Sequence, residues 1–372
     1  MPSHLSPTAF PNSPDSYAGS GPFWFGHWER GKQIVLYKNP HYWDAHSVRL
    51  PRIQIQILNY PYLILDLFQK EKLDWVSPML TSLPTSSLTK YEGKGCLSSY
   101  PIAGTVFIAY NSERFPFQNV NFRKSLSFSI DRRSVVGSVT QMGECPASRL
   151  IPPVLDPSAG PVSFDPVAAR CRLGKALVEL GISQMRDGDL CGIDAINRLL
   201  SSNLTFSFSN DSGKSHQVVA HALIRHWKGV LGLNIEPEPL SFREQMDRIG
   251  KGDFGMTLIF SAAHLNDPMN LLERFKHKHL DRNFPRYESP EFISLLDHAN
   301  RTLDSKERNR LLQMAELHLL ESCPISPIYH VNYPVLSRNS VDGVEITPIG
   351  SVHFNRARVD CCDAPPNEAA VI

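Results

Sequence analysis

The sequence predicts an α/β protein of two or three domains, and three observations carry the fold class. From Leu204 to Phe260 the patterns alternate strand, helix, strand, helix, strand with short connections, an order that calls for a parallel sheet with crossover helices. From Thr105 to Val136 an apolar run of strand length leads into an amphipathic helix. Ahead of both, from Phe23, the chain carries period-two strand patterns and one short helix, so a β-rich part precedes the α/β part.

Taken in order, residues 1–21 are rich in Pro, Ser and Gly without periodicity and read as loop. Ile34 and Leu36 alternate with Val35 and Tyr37, and Ile53, Ile55 and Ile57 with Gln54 and Gln56, the latter a half-buried strand. Trp24, Trp28, Tyr42 and Trp43 are expected in the core of this β-rich part rather than at a ligand. Tyr62 to Gln69 reads as a short helix leading into a strand at Leu73–Val76. Val106, Ile108 and Tyr110 alternate with Phe107 and Ala109, an apolar run that marks a strand buried on both faces and stops at Asn111 and Ser112. Phe122, Leu126 and Ile130 then form a helical stripe, with Asn119 or Asn121 as cap and Lys124, Arg132 and Arg133 off the stripe.

Glu144 to Val162 is a Pro-rich loop, and Pro166–Leu180 is a helix capped by Asp165 and stopped by Gly181. In the alternating region, Leu204, Phe206 and Phe208 mark a strand; Val219, Leu223, Trp227 and Val230 a helix ended by Gly232; Leu233–Glu236 a strand; Phe242–Ile249 a helix; Gly255–Phe260 a strand. In open parallel sheets ligands bind beyond the carboxyl ends of the strands, which singles out the loops Asn210–Lys214 and Ser261–Asp267. Helices follow from Ser289-Pro290 and from Asp304. The strand Pro324–Val331 then leads back, through Val335 and Val341–Ile346, toward the first lobe, and Cys361–Ile372 is a tail without core pattern.

Composition excludes several classes of function. In 372 residues, 38 Lys and Arg stand against 37 Asp and Glu, without the surplus that a phosphate backbone requires, so nucleic acid is not an expected partner. No apolar run approaches the roughly 18 residues of a membrane span. Seven cysteines show no metal-type spacing. The sequence carries no G-x-S-x-G, H-E-x-x-H, P-loop or dinucleotide fingerprint, and the His277-x-His279-x-Asp281 run, flanked by Lys276, Lys278 and Arg282, reads as solvated surface rather than a metal site. Neither catalysis nor a cofactor is expected.

The wording of the chain resembles a known family. Gly19-Ser-Gly-Pro-Phe23, Trp28 before Gly31-Lys-Gln-Ile-Val-Leu36, Asn39-Pro-His-Tyr-Trp43, the Tyr110-Asn111 strand end with Pro116-Phe-Gln-Asn-Val-Asn-Phe-Arg-Lys-Ser-Leu126 and Ile130-Asp-Arg132, Gly252-Asp-Phe254, Asn266-Asp-Pro268 and Pro324-Ile-Ser-Pro-Ile328 together look like the family 5 extracellular solute-binding proteins, the peptide-binding components of ABC importers. The resemblance implies a periplasmic-binding-protein-like fold of type II. It divides the chain into a first lobe of 1–102, to which 347–372 return, and a second lobe of 103–346. It also implies a monomer in the periplasm or cell envelope that closes by a hinge around a short peptide and presents it to a permease. The first residues have no basic start, apolar stretch or lipobox cysteine, and members carry more of the first lobe before the Gly-Ser-Gly-Pro-Phe motif. The first lobe is accordingly expected to be incomplete, from a truncated or split gene or a start upstream. A product without transport activity and a cytoplasmic peptide-sensing domain are the alternatives.

Ligand contacts carry over by resemblance one at a time. His216 falls where members contact peptide, or is a solvent-side residue of the first helical turn. Phe242 and Phe260 stand where members place tryptophans. A ligand-side arginine of members aligns with Ile249, with Arg248 one step away. Ser261, Ala262, Ala263 and His264 form the loop next to the ligand, and Ala263 occupies the position of the aspartate that pairs with the peptide ammonium. Asp267 compensates for that loss or caps a helix. Ala103, Gly104 and Ser261 leave no thiols for the disulfide some members place there.

Overall fold

The computed structural model describes residues 19–58, 60–77, 85–141, 143–158, 160, 164–182, 196–197, 200, 204–210, 214–360 and 370–371. The described residues up to Tyr100, with those from Tyr333 onward, form one compact unit, and Pro101–Asn332 form the other. Residues 333–346, assigned from sequence to the second lobe, lie in the first unit.

The first unit begins with an antiparallel meander of β1 (Phe23–Glu29), β2 (Gln33–Lys38) and β3 (Arg52–Gln56). Alternation turns Phe23 and Phe25 inward and Trp24 and Trp28 outward, and Tyr37 lies across Gly26, where a Cβ would come within 2.1 Å of its ring. Trp24 is 50% exposed and Trp43 84%, which overturns the expected core placement of these tryptophans: Trp24 falls on the outer face that the strand period gives to every second residue of β1, and Trp43 lies in the turn between β2 and β3. Helix α1 (Pro61–Gln69) takes Pro at its first position and buries Ile64, Leu65 and Phe68. It leads to β4 (Trp75–Val76), whose Trp75 packs with Leu50 and Ile53 in this unit's core.

The second unit is organised by β5 (Leu97–Tyr110), whose Val106, Ile108 and Tyr110 enter one apolar cluster while Ala103, Phe107 and Ala109 enter another. The strand is buried on both faces, as its uninterrupted apolar run predicts. After it come α2 (Val120–Phe128), capped by Asn119; β6 (Cys145–Pro146); and α3 (Pro166–Glu179), capped by Asp165 and followed by Gly181 at φ +71°. Then follow β7 (Thr205–Ser209), α4 (Lys214–Leu231), β8 (Glu236–Leu240), α5 (Phe242–Lys251) and β9 (Met256–Ala262). The short α6 (Met269–Leu272), α7 (Pro290–Arg301), α8 (Ser305–Ser322) and β10 (Ile325–Ser337) complete the unit, β10 running on into the first. Sheet order is β10-β5-β9-β7-β8, with β7 parallel to both β8 and β9, and β9 antiparallel to β5.

Three local expectations change. The strand read at Leu233–Glu236 begins at Glu236: Leu233 and Ile235 are apolar because they are buried in the approach, while the residues that pair with β7 are Glu-Pro-Glu-Pro-Leu. Arg132, read as off the apolar stripe, is 4% exposed, its Nε donating to Pro327 O at 2.6 Å. The segment after Glu144 is less loop than anchor: Cys145 and Pro146 pair with β10, and Arg149 bonds the buried carboxylate of Glu316, whose other oxygen accepts from Ile151 N at 2.8 Å.

The last strands return to the first unit: β11 (Val341–Asp342) pairs with β14 (Arg358–Val359), β12 (Glu345–Ile346) with β13 (Val352–His353), and β15 (Ala370–Val371) lies parallel to β3. Among the described residues no helix is long and apolar enough to cross a membrane.

Candidate functional site

The parallel strands of the second unit have their carboxyl ends on the same side of the sheet. Ser207 pairs with Thr257 and Ser209 with Leu240, so β7 and β8 end level with one another while β9 runs on past Phe260 beside β5 to Ala262. Asn210 N–H donates to Leu240 O at 2.8 Å there. Residues 211–213 of the Asn210–Lys214 loop lie outside the described residues. Because α4 follows β7 and α5 follows β8, both helices start at this end, where unpaired N–H groups and loop backbone face outward.

Each candidate side chain is positioned by these elements. His216 lies in the first turn of α4, half-buried, and its Nδ1 is buried without a hydrogen-bond partner. Burial lowers its pKa to about 4, so the ring is neutral at pH 7 with a polar atom to spare. Phe242 opens α5 directly after the cap Ser241, whose hydroxyl accepts from Glu244 N while Glu244 returns a bond to Ser241 N; its ring is 56% exposed. Phe260 is 41% exposed and registers with Val106, its ring resting where β5 carries Gly104: a Cβ there would meet it at 2.8 Å. Two half-open aromatic faces thus stand at the ends of neighbouring elements.

The loop after β9 is tightly held. Ala263 is 2% exposed, donates its N–H to Ala103 O at 2.7 Å and packs with Ala103 and Phe275. His264 is exposed, its N–H bonded to Asn270 Oδ1 at 2.8 Å. Asp267 accepts from Met269 N at 2.9 Å and from Arg308 Nη2 at 2.7 Å, so both carboxylate oxygens are engaged at the start of α6. Arg248 ion-pairs with Glu238, which registers with Ser207 in mid-strand, setting it back from the strand ends.

Sequence reasoning passed over Arg274. It is 9% exposed, and its guanidinium donates to Ser261 Oγ, to Ala262 O at 2.7 Å and to Asn270 Oδ1 at 3.4 Å. The sequence offers little signal for it: Arg274 stands between Glu273 and Phe275-Lys276 and reads as one charge of a mixed surface segment. Among the described residues no group of three His, Cys, Asp or Glu is arranged to hold a metal ion, and His277 stacks on His279 while its Nδ1 lies 3.3 Å from Glu288.

The profile of the bacterial extracellular solute-binding proteins, family 5 Middle, matches residues 3–281. The chain belongs to this family. Family 5 is a family of solute-binding proteins and not of enzymes. Among its members, the oligopeptide-binding protein OppA of Bacillus subtilis is 32% identical over 351 residues, 93% of this chain. This chain spans 62% of that relative's length. The Escherichia coli murein tripeptide binding protein MppA superposes with a TM-score of 0.70 at 22% identity, covering 94% of this chain and 66% of that one. Haemophilus influenzae OppA, in complex with RPPGFSPFR, gives 0.70 at 19% identity over 93% of this chain and 66% of that one. The chain thus shares the mixed α/β fold of about two thirds of each of these structures.

Proposed function

We propose that the chain binds short peptides outside the cytoplasm and delivers them, unchanged, to the permease of an ABC importer, with closure turning on the crossings within β5 and β10. One observation carries this reading: β7, β8 and β9 are neighbouring parallel strands whose carboxyl ends lie on the same side of the sheet, and the elements at that end carry the half-exposed Phe242 and Phe260 and the unpartnered Nδ1 of His216. Strand-end backbone supplies main-chain hydrogen bonds, and the rings supply sequence-tolerant apolar contact. Family membership and the peptide-binding relatives support the ligand class.

The buried methyl of Ala263 and the engaged carboxylate of Asp267 leave no open acid in that loop for an α-ammonium. A charge brought there unpaired costs roughly 3 to 5 kcal/mol, so the ligand end at β9 is not a free amine. The test is thermal denaturation of the 372-residue chain with pools of di- to pentapeptides, free and N-acetylated. At a hundredfold excess over Kd binding adds about 2.7 kcal/mol, and N-acetylated pools are expected to raise the midpoint at least as far as free ones. A flat response to both pools contradicts the proposal.

A further inference from the structure

We propose that the site prefers a ligand whose end bears a carboxylate, received by the Ser261 hydroxyl with Arg274 behind it; this rests on the peptide-binding reading above. Arg274 is a buried cation whose known bonds all go to uncharged oxygens, those of Ser261, Ala262 and Asn270. Three of its five N–H donors are spent in this way. Among the described residues it has no ion pair. Of the charges near it, Arg282 is of like sign and Glu273, of opposite sign, is exposed. The other acid of the loop, Asp267, belongs to Arg308.

Its position makes the charge useful. Arg274 grips the last two residues of β9, next to Phe260 at the end of the sheet where ligands of open parallel sheets bind. Because the guanidinium donates to Ser261 Oγ, a lone pair of that half-buried hydroxyl is taken and its proton remains to be donated to another acceptor. A hydroxyl polarised in this way by a cation is a donor for an anion, while the same cation repels an ammonium. Charge-assisted bonds to a carboxylate are about twice as strong as neutral ones, and burial of the guanidinium limits screening by salt.

The experiment titrates the full chain with one tetrapeptide in three forms: N-acetyl with a free C-terminal carboxylate, N-acetyl with a C-terminal amide, and N-succinyl with a C-terminal amide. One of the two anionic forms is expected to bind about tenfold tighter than the neutral form, and which one does so tells whether the carboxylate comes from the C-terminus or from the N-terminal side. In R274Q the ratio of anionic to neutral affinity falls toward one, and R274K, which keeps the charge, retains part of it. If R274Q does not fold, S261D sets a carboxylate against the guanidinium and is expected to abolish the ratio by itself. Equal affinity for all three forms, or a ratio untouched in R274Q and S261D, overturns the inference. Absence of binding in every form overturns the peptide-binding reading instead.

Discussion

At the residue scale, buried charge is where sequence and structure part. Arg123 lies in the same helix as the apolar stripe, yet it is 6% exposed and donates to Cys323 O at 2.8 Å, Phe117 O at 2.5 Å and Ser322 O at 2.6 Å. It closes the carbonyls left over at the end of α8. Helical period alone cannot reveal this, because the need arises on a segment about 200 residues away. Arg123→Ala strands three buried acceptors and is expected to cost about 3 kcal/mol or more in urea denaturation, with Arg123→Lys recovering little. A second prediction concerns acid. Thr105 donates its hydroxyl to Leu150 O at 2.8 Å, so at 2.9 Å it accepts from His330 Nδ1–H, leaving Nε2 to any added proton. Burial, then Arg149, lowers the His330 pKa to about 4. The unfolded chain therefore binds the extra proton first, and stability falls as pH drops from about 6.5 toward 4. His330→Asn is expected to lose less stability than the wild type between pH 7 and pH 4.5.

At the element scale, helices with caps were legible and the edge strand was not. Asn119, Asp165, Ser289 and Asp304 each accept a first-turn N–H as their positions before apolar stripes imply. Asp165→Ala removes bonds to Val167 N and Ala168 N and is expected to lower stability by about 1 kcal/mol. The edge strand β8 escaped because its pairing residues have no apolar pattern. Glu236 N bonds Leu204 O and Leu240 O accepts from Asn210 N, so the alternate residues Pro237 and Pro239 face the open side of the sheet, where they offer no N–H to another strand. Replacing both by Thr restores two donors on that edge. The double variant is expected to aggregate at concentrations where the wild type stays dispersed, as light scattering would read. Unchanged scattering would contradict the account of this edge.

At the scale of the whole molecule, the order of elements in the α/β unit was written in the sequence. A chain that alternates strand and helix with short connections has few ways to fold, and the double-sided run of β5 identified the strand that both clusters share. The chemistry at the carboxyl ends of β7, β8 and β9 was only partly legible. Phe242 and Phe260 were named by resemblance and Ser261 by its place after a strand, but the engagement of Asp267 by Arg308 and the hold of Arg274 on Ser261 depend on residues that meet only after folding. The central claim is that a peptide is held where β7, β8 and β9 end. Hydrogen–deuterium exchange of the full chain, with and without a saturating N-acetylated peptide pool, addresses it directly. The account predicts slowed exchange at residues 241–245 and 261–270, with the opposite end of the same strands, residues 204–206 and 255–257, unchanged. Protection confined to other segments, or none at all, would contradict it.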